Sequence, residues 1–524
     1  MPELGAGKKM DAMIETALAA QLPEYLLKQR WFGGKARKIA AVEVIDTLKI
    51  PVAGGNSFLF VSAVRYDDGG ADELYAIPLV RSEAAGAEGL KAPAPDGGTM
   101  MLADGLKNGA FLTVLAELIE RGTSIAGENG QLRGLQTTAY STLSPSPVAG
   151  LTPEPVGAEQ SNTSIIYGDR LILKFFRRIQ EGINPDLEIG QFLTEKTSLS
   201  SVPPLAGTLE YQARDGKPMA QGMLQKFVAN QGDAWGFTLK ALANYYEEVR
   251  KIVNPTGSTL ASRHVKLPGC AKSAVETYLA AAELLGQRTA EMHLALASDS
   301  SDPAFAPEPF TMDSQQALEQ SVNRLVVRVF SLLRDKMKHL PAEWRGKAEK
   351  LAERESEIAA RFNTALREPI RAMRTRIHGD YHLGQVLRTE SDFVIIDFEG
   401  EPARSIEERR VKRSPLQDVA GMLRSFHYAA FAPLLGEDRA QGDDFTRMGI
   451  WAEAWNSWVA DRYLGKYFAT AKGASYLPAT QTEIQTVLEL HLLEKAIYEL
   501  GYELNNRPTW VGIPLQGIGK LLTI

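Results

Sequence analysis

A short polar stretch directly before a buried strand constrains this chain more than any other feature. Residues 376–385 read RIHGDYHLGQ, and a second segment, 393–400, reads FVIIDFEG. Phosphoryl transfer needs a carboxylate at the acceptor hydroxyl, a neutral oxygen ligand for magnesium a few residues later, and a second carboxylate at a strand end. Asp380, Gln385 and Asp397 meet these three requirements in that order. The segment therefore predicts the catalytic loop of a phosphotransferase.

The same segment also predicts a β-hairpin. Residues 385–398 have the pattern of a β-hairpin, which returns Asp397 to the loop that carries Asp380. Glu399 follows two residues after Asp397 and shares its face if the strand continues, so it is a further candidate magnesium ligand. The alternative is a polar turn before an ordinary buried strand. Three spaced elements in the right order favour the catalytic interpretation.

Length, charge and cysteine content exclude several classes of protein. A chain of 524 residues is expected to divide into two to four units. Its net charge of −6 argues against a general nucleic-acid surface. The only cysteine, Cys270, excludes an intrachain disulfide framework and suits a reducing cytosol. Because no apolar run reaches membrane-spanning length and the first residues include acids, we expect a cytoplasmic protein without a membrane anchor.

The pattern along the chain predicts three sections of an α+β protein. Residues 1–130 are expected to form a small N-terminal cap, in which the Ala/Gly/Pro-rich segment 82–100 is predicted to be a mobile loop. Residues 131–230 have mainly strand patterns and are expected to bind the nucleotide, and residues 231–524 are mainly helical. A strand-rich half followed by a larger helical half that carries the catalytic carboxylates is the plan of a bilobal kinase.

A cation for the ATP phosphates is expected in the middle section. Residues 171–176 (LILKFF) form an apolar run with a single lysine, Lys174, and Glu188 lies fourteen residues further on at the start of a predicted helix. We predict that Glu188 fixes Lys174 against the phosphates. The alternative is a lysine that reaches solvent from an edge strand and a glutamate that favours the helix dipole.

The remaining nucleotide contacts are predicted from position. Residues 157–164 (GAEQSNTS) lie where a phosphate-covering loop belongs, although they lack the G-x-G-x-x-G pattern. Hydroxyls and backbone N–H groups would have to bind the phosphates instead. The strand 223–228 is expected to lead into the hinge beside adenine. The candidate residues are Ser161, Asn162, Thr163 and Gln225.

A helix near the C-terminus is a candidate site for the phosphate acceptor. Helical spacing puts Tyr498, Tyr502 and Asn506 on one stripe, with charged residues beside it. Aromatic rings cover the apolar faces of sugars, and carboxylates accept hydrogen bonds from paired hydroxyls. For the helix in isolation, a half-buried face with Tyr rings in the core and Lys–Glu pairs in solvent is the simpler interpretation.

Motifs spread along the chain resemble those of the bacterial maltokinases, members of the aminoglycoside phosphotransferase-like superfamily. The matching segments are QRWFGGKAR at 29–37, RTAEMH at 288–293, the catalytic loop with DFEG, KRSPLQDVAGMLRS at 412–425, and Tyr498-Glu499 with NRP at 506–508. The resemblance departs at Gly501, where a larger residue is usual, and at Thr509, where an acid is expected.

The resemblance implies a protein-kinase-like fold with an N-terminal cap. It also implies transfer of the γ-phosphate of ATP, with Mg²⁺, to the anomeric hydroxyl of maltose in α-glucan and trehalose metabolism. The family is often fused to trehalose synthase, which makes that enzyme a candidate partner. The residues that it assigns are Asp380 as base and His382 as the residue that orients the loop, with Asp418, Arg424, Tyr498, Glu499, Tyr502 and Trp510 on the sugar.

Two alternatives stay open at the level of sequence. The first is a related kinase with another acceptor, such as glucosamine or an aminoglycoside. The second is a catalytically silent module of a trehalose synthase fusion. The presence of Asp380, Gln385, Asp397 and Lys174 argues against a silent module.

Overall fold

The computed structural model describes residues 3–52, 55, 57–82, 88–156, 162–214, 216–251, 269–401, 404–435 and 443–522. Two compact units are present. The N-terminal unit comprises Met1–Ser198 with Pro203–Ala229, and the C-terminal unit comprises Leu199–Val202 with Asn230–Ile524. Among the described helices, none is both long enough and apolar enough to cross a membrane.

The N-terminal unit begins with a helix, α1 (Glu3–Lys28), that packs on an antiparallel sheet. The strand order is β1-β2-β3-β5-β4. Trp31 and Phe60 belong to the core between helix and sheet. The strands are β1 (Ile39–Lys49), β2 (Ser57–Tyr66), β3 (Glu73–Ser82), β4 (Leu90–Pro93) and β5 (Thr99–Asp104). The prediction of a mobile loop over 82–100 is wrong for β4 and the start of β5, because these strands pair as a hairpin; residues 83–87 lie outside the described part.

A second antiparallel sheet of the same unit carries Lys174. Its strand order is β6-β7-β12-β13-β10-β9-β8, so β10 lies between β9 and β13. The elements are α2 (Gly109–Arg121), β6 (Ser124–Ala126), β7 (Gly130–Gln136), α3 (Tyr140–Leu143), β8 (Pro153–Pro155), β9 (Asn162–Tyr167), β10 (Leu171–Phe176), β11 (Arg178–Ile179), α4 (Pro185–Lys196), β12 (Leu205–Ala213) and β13 (Pro218–Lys226). Because β6 pairs with β7, the predicted cap boundary at 130 falls inside this sheet.

The start of α4 follows from its local sequence. The side chain of Asn184 accepts hydrogen bonds from the backbone N–H groups of Asp186 and Leu187, and Pro185 occupies the first turn. Asn is a favoured N-cap, and proline fits the first turn because its missing N–H has no intrahelical acceptor there. The two acids of the first turn, Asp186 and Glu188, stabilise the positive end of the helix dipole.

The C-terminal unit is built mainly from helices. Its helices are α5 (Ala234–Arg250), α6 (Gly269–Leu296), α7 (Met312–Lys336), α8 (Ala342–Ala352), α9 (Glu355–Ala365), α10 (Ile406–Arg410), α11 (Leu416–Leu435), α12 (Asp443–Thr470), α13 (Gln481–Asn506) and α14 (Gly512–Leu521). Two short antiparallel sheets pair β14 (Glu308–Pro309) with β15 (Met373–Arg374) and β16 (Val386–Arg388) with β17 (Phe393–Ile395), and only the second pair is a hairpin. Helix α11 is buried on nearly all sides and packs on α5, α12, α13 and α14. A helix that is buried on nearly all sides belongs to a core, and α11 is therefore a central helix of the C-terminal unit.

Candidate active site

The predicted catalytic hairpin is present. Strands β16 and β17 are antiparallel with Arg388 opposite Phe393, and the N–H of Thr389 donates to the carbonyl oxygen of Asp392 to close the turn. A short 3₁₀ helix, Leu383–Gln385, leads into β16, and its N-cap is His382, whose Nδ1 accepts from the N–H of Gly384 at 3.0 Å. The hairpin prediction is confirmed.

Hydrogen bonds tie the loop of Asp380 to the loop of Asp397. His378 Nε2 lies 2.9 Å from the carbonyl oxygen of Ile396, the residue immediately before Asp397. The N–H of Ile396 donates to the carbonyl oxygen of Gln385 at 3.0 Å. The backbones that carry the three predicted chemical groups are therefore fixed to one another within the C-terminal unit.

Positive backbone angles allow these two loops to approach closely. Gly379 has φ of +85° and Gly400 has φ of +71°. A Cβ atom on Gly379 would lie 3.3 Å from the Cα atom of Gly400, which is tighter than ordinary contact. Asp397 also has positive φ, +70°, which is uncommon for a residue other than glycine. Such conformations persist where the surrounding structure enforces them, often at functional sites.

A buried carboxylate holds the backbone of the catalytic loop. Asp418, in the first turn of α11, accepts from the N–H of His378 at 2.8 Å and from the N–H of Gly379 at 2.9 Å. His293 Nε2 lies 3.1 Å from the same carboxylate, and its Nδ1 lies 2.9 Å from the hydroxyl of Tyr467. Burial alone would raise the pKa of Asp418, but the hydrogen bond and charge of His293 outweigh it and lower that pKa.

This arrangement corrects one predicted role. Asp418 was expected to bind the sugar, yet the residue is 2% exposed and both of its oxygens accept hydrogen bonds from the loop. Asp418 therefore positions the loop and does not contact an acceptor.

Asp380 itself remains accessible. Its side chain is 26% exposed, with Lys495 Nζ 3.5 Å from Oδ1 and His382 Nε2 4.0 Å from Oδ2. Burial lowers the pKa of His382, against the opposing effect of Asp380, and this favours the neutral imidazole. A neutral imidazole matches its observed role as acceptor of the Gly384 N–H. Asp380 is the carboxylate at this loop that an acceptor hydroxyl can reach.

Two carboxylates after β17 offer oxygen ligands for a metal ion. A carboxylate oxygen of Asp397 lies within 4.8 Å of one of Glu399, and both side chains are partly exposed. Magnesium prefers hard oxygen ligands and usually takes one or two carboxylates from the protein. The donor set of Asp397 and Glu399, with the amide oxygen of the half-buried Gln385 nearby on the chain, fits magnesium.

The lysine of the N-terminal unit has a carboxylate partner. Lys174 Nζ lies 3.2 Å from Asp186 Oδ2, and Asp186 is 2% exposed. The sequence analysis chose Glu188 for this role and missed Asp186. Both acids lie in the first turn of α4, and only the direction of each side chain distinguishes them, which local sequence does not reveal. The contact of Glu188 with Lys174 stays a prediction.

The other predicted nucleotide contacts divide into three groups. Ser161 lies outside the described residues, and Asn162 begins β9 with a partly exposed side chain. Gln225 Nε2 makes a long hydrogen bond, 3.5 Å, to the carbonyl oxygen of Pro203. Thr163 faces the interior, where its hydroxyl accepts from Arg177 Nε at 3.1 Å. The role predicted for Thr163 is corrected on that ground, because alternate residues of β9 point to opposite faces and Thr163 occupies the buried one.

On α13, Lys495 contacts Asp380, and the charge of Asp380 also acts on Tyr498. The ammonium of Lys495 lies 5.1 Å from the ring centroid of Tyr498. Burial, a hydrogen bond with Glu401, the charge of that residue and the charge of Asp380 raise the pKa of Tyr498. Glu401 in turn accepts from Arg404 Nε at 2.7 Å. Sequence analysis found Tyr498 but did not single out Glu401, which follows the catalytic hairpin.

Two residues predicted to contact the sugar instead contact each other. Arg424 Nε and Nη2 lie 2.9 and 2.7 Å from Glu499 Oε2, and Arg424 is 4% exposed. A Cβ atom on Gly517 of α14 would collide with the guanidinium, so the pair is covered. The assignment of Arg424 to the sugar is wrong, because the buried guanidinium requires Glu499 as its counter-charge. Glu499 has the same structural role.

Tyr502 and Trp510 reach the surface beyond that pair. Tyr502 is 48% exposed and Trp510 partly so. The guanidinium of Arg507 lies 5.5 Å from the ring centroid of Tyr502 and 4.5 Å from that of Trp510. Arg507 is held by the buried Glu503, with Nη2 2.8 Å from Oε1. Both rings therefore lie beside the same guanidinium, and their contact with a sugar stays a prediction.

Comparisons with known proteins agree with this geometry. Residues 25–106 match the maltokinase N-terminal cap domain, and residues 267–454 match the phosphotransferase enzyme family. A glucosamine kinase of Streptacidiphilus jiangxiensis is 22% identical over 366 residues, which cover 70% of this chain and 72% of that protein. A glucosamine kinase of Mycolicibacterium smegmatis is 23% identical over 379 residues, which cover 70% and 79%.

Solved structures show the same fold. One of a glucosamine kinase in complex with glucosamine, ADP and inorganic phosphate has a TM-score of 0.62 at 17% identity, covering 97% of this chain and 99% of that chain. Another glucosamine kinase structure, crystal form B, has a TM-score of 0.64 at 19% identity with the same coverage. At such low identity the likeness establishes the fold alone.

The fold and the matched catalytic region define a phosphotransferase with the fold of the aminoglycoside phosphotransferases. The cap match narrows this class, and the two matches together support a maltokinase-like kinase of the aminoglycoside phosphotransferase family. The predictions of this family, of an α+β kinase-like fold with an N-terminal cap, and of a sugar kinase that uses ATP are confirmed.

Proposed function

We propose that the protein is a maltokinase, which transfers the γ-phosphate of ATP to the anomeric hydroxyl of maltose and forms maltose 1-phosphate. The observation that carries the chemistry is the accessible Asp380 on a loop that is braced against the loop of Asp397. The choice of maltose is supported by the match of residues 25–106 to the maltokinase cap.

Asp380 acts as the base in this proposal. As the bond between the anomeric oxygen and the γ-phosphorus forms, the carboxylate takes the hydroxyl proton, and the bond to the bridging oxygen breaks to release ADP. Asp418 contributes indirectly, because its hydrogen bonds to the N–H groups of His378 and Gly379 fix the base. Positioning and electrostatic stabilisation supply most of the catalysis in phosphoryl transfer.

The ATP phosphates are assigned to Lys174. Its ammonium is held by Asp186 at 3.2 Å, which orients the cation and offsets its burial. Asp397 and Glu399, with Gln385, would hold Mg²⁺. The metal would neutralise charge on the phosphate oxygens when bound.

The acceptor is assigned to a stripe along α13. Lys495, Tyr498 and Tyr502 are spaced three and four residues apart, so they lie on one side of the helix. We call these three residues the acceptor face. Tyr498 and Tyr502 are separated by about 6 Å along the helix axis. A spacing of this size suits successive rings of a disaccharide, with the reacting ring at Asp380 and the second ring toward Tyr502 and Trp510.

A glucosamine kinase is the second candidate, because two relatives and the similar structures carry that name. Consumption of ATP should be measured with maltose, glucose, glucosamine and an aminoglycoside as acceptors. The maltokinase proposal expects maltose to have the highest kcat/KM of the four. A higher kcat/KM for glucosamine would overturn it in favour of the second candidate.

Maltose 1-phosphate synthesis places the enzyme in α-glucan and trehalose metabolism. Association or fusion with trehalose synthase is the partnership that this setting implies. Co-purification with that enzyme tests the association directly, and its absence would leave the kinase assignment intact.

A further inference from the structure

A lysine stands directly beside the proposed base. Lys495 Nζ lies 3.5 Å from Asp380 Oδ1, and its side chain is 31% exposed. Removal of a proton from a sugar hydroxyl requires the carboxylate and does not require this cation. An ion pair this exposed contributes roughly 0–1 kcal/mol to stability, so stability alone gives little reason for a lysine here.

Other carboxylates near α13 also have cations as partners. Glu401 lies 2.7 Å from Arg404, Glu499 lies 2.7 Å from Arg424, and Glu503 lies 2.8 Å from Arg507. An acceptor with a protonated amine would have to displace one of these cations to gain a counter-charge. Displacing Arg424 would also leave a buried guanidinium without its partner.

The charge balance around Asp380 therefore favours neutral acceptors. The titratable groups that surround Lys495 and the base are His382, His378 and Asp397 on the side of the loop, and Tyr498, Glu401 and Arg404 on the side of α13. A second ammonium within a few ångströms of Lys495 would be repelled, and neutral hydroxyls can donate to Asp380 without displacing the lysine. At the effective dielectric of a partly exposed site, like charges at such distances cost about 10- to 100-fold in affinity, and the attraction of Asp380 for the same ammonium offsets part of that cost.

We propose that Lys495 selects the acceptor by charge, admitting neutral sugars to Asp380 and excluding sugars that carry a protonated amine. This inference rests on the proposed function, because it requires a sugar to bind at Asp380. Under this proposal, Lys495 of α13 distinguishes a maltose-type acceptor from an aminosugar.

Glucose and glucosamine are the matched substrates for the test, because they differ only at the 2-position. Their kcat/KM values should be measured between pH 6 and pH 9. The amine of glucosamine is expected to lose its proton over this range, as other amino groups with a low pKa do. The wild-type enzyme is expected to prefer glucose by about 10-fold or more at the acid end. That preference should shrink toward the alkaline end, through a falling KM for glucosamine and not through kcat.

Variants of Lys495 test whether this residue causes the preference for glucose. Lys495→Met removes the charge at similar size and should lose most of the preference for glucose at acid pH, whereas Lys495→Arg should keep it. Lys520→Met is the control, because Lys520 forms an exposed ion pair with Glu453 in the same unit. The control should retain both the preference and its pH dependence.

The outcomes separate the two proposals. If maltose is phosphorylated but the wild-type enzyme uses protonated glucosamine as well as glucose, or if Lys495→Met keeps the full preference, charge selection by Lys495 is overturned and the kinase proposal stands. If no sugar is phosphorylated, both proposals fall. A folding defect in Lys495→Met is distinguished by its melting temperature, and Lys495→Gln then provides the uncharged side chain.

Discussion

The catalytic loop and the acceptor face of α13 belong to the same unit but are held in opposite ways. The loop is fixed through its backbone, because the buried Asp418 accepts from two consecutive N–H groups. The acceptor face meets the loop through a partly exposed side-chain contact, that of Lys495 with Asp380. Changes at the face can therefore alter which sugar is accepted while the geometry of the base is preserved.

Replacing the base should have the largest effect on activity. Asp380→Asn removes the proton acceptor and is expected to lower kcat by about 10²–10⁴-fold for every sugar. The residue is partly exposed, so the melting temperature should stay close to that of the wild type. Steady-state kinetics and a thermal melt check these two statements; a variant with near-normal kcat would remove Asp380 from the mechanism.

Replacing Asp418, whose carboxylate holds the catalytic loop, should lower stability and activity together. Asp418→Ala leaves the N–H groups of His378 and Gly379 and the ring of His293 without their shared acceptor. Unpaired buried groups of this kind are expected to lower the free energy of unfolding by roughly 4 kcal/mol. Denaturant titration measures the loss. The reduction in kcat should be the same for maltose and glucose, and a reduction confined to one sugar would mean that Asp418 contacts the acceptor after all.

The ion pair of Arg424 and Glu499 should affect stability more than sugar selectivity. Glu499→Gln leaves the guanidinium of Arg424 buried without a counter-charge and is expected to cost roughly 3 kcal/mol of unfolding free energy. The KM for maltose should change little. Adding Arg424→Met should recover part of the lost stability, as a double-mutant cycle would show. A strong rise in the KM for maltose at unchanged stability would instead return Glu499 to the sugar site.

The smallest effect is expected at the start of the 3₁₀ helix. His382→Ala removes the acceptor of the Gly384 N–H and should cost about 1 kcal/mol of unfolding free energy, whereas His382→Asn can replace that acceptor and should cost less. Burial lowers the pKa of His382, which favours the neutral ring, and the proposed base is Asp380. The acid limb of the pH–rate profile is therefore expected to persist in His382→Asn, and its disappearance would assign proton transfer to the imidazole.

Sequence reasoning succeeded where a short local pattern determines the geometry. Asp380, Gln385 and Asp397 lie on one loop and one hairpin, so their spacing already brings their backbones together. It was less successful on α13, where Glu499 pairs with Arg424, a residue 75 positions earlier in the chain. A helical stripe shows which residues share a face but not which distant side chain covers that face.

Similar reasons explain the misassignments in the N-terminal unit. Asp186 and Glu188 are both acids of the first turn of α4, and tertiary packing decides which one Lys174 meets. The glycine- and proline-rich composition of 82–100 predicted a loop, yet Leu90–Pro93 pairs with Thr99–Asp104. Pairing with a neighbouring strand overrode the local preference there.

The central claim is that Asp380 activates the anomeric hydroxyl of a neutral disaccharide. The most direct test is to incubate the enzyme with ATP, Mg²⁺ and maltose and to identify the phosphorylated carbon by NMR, together with a reducing-sugar assay of the product. The account predicts phosphate on the anomeric carbon and loss of the reducing end, both abolished in Asp380→Asn. A phosphorylated product that still reduces would place the phosphate elsewhere on the sugar and contradict maltose 1-phosphate synthesis.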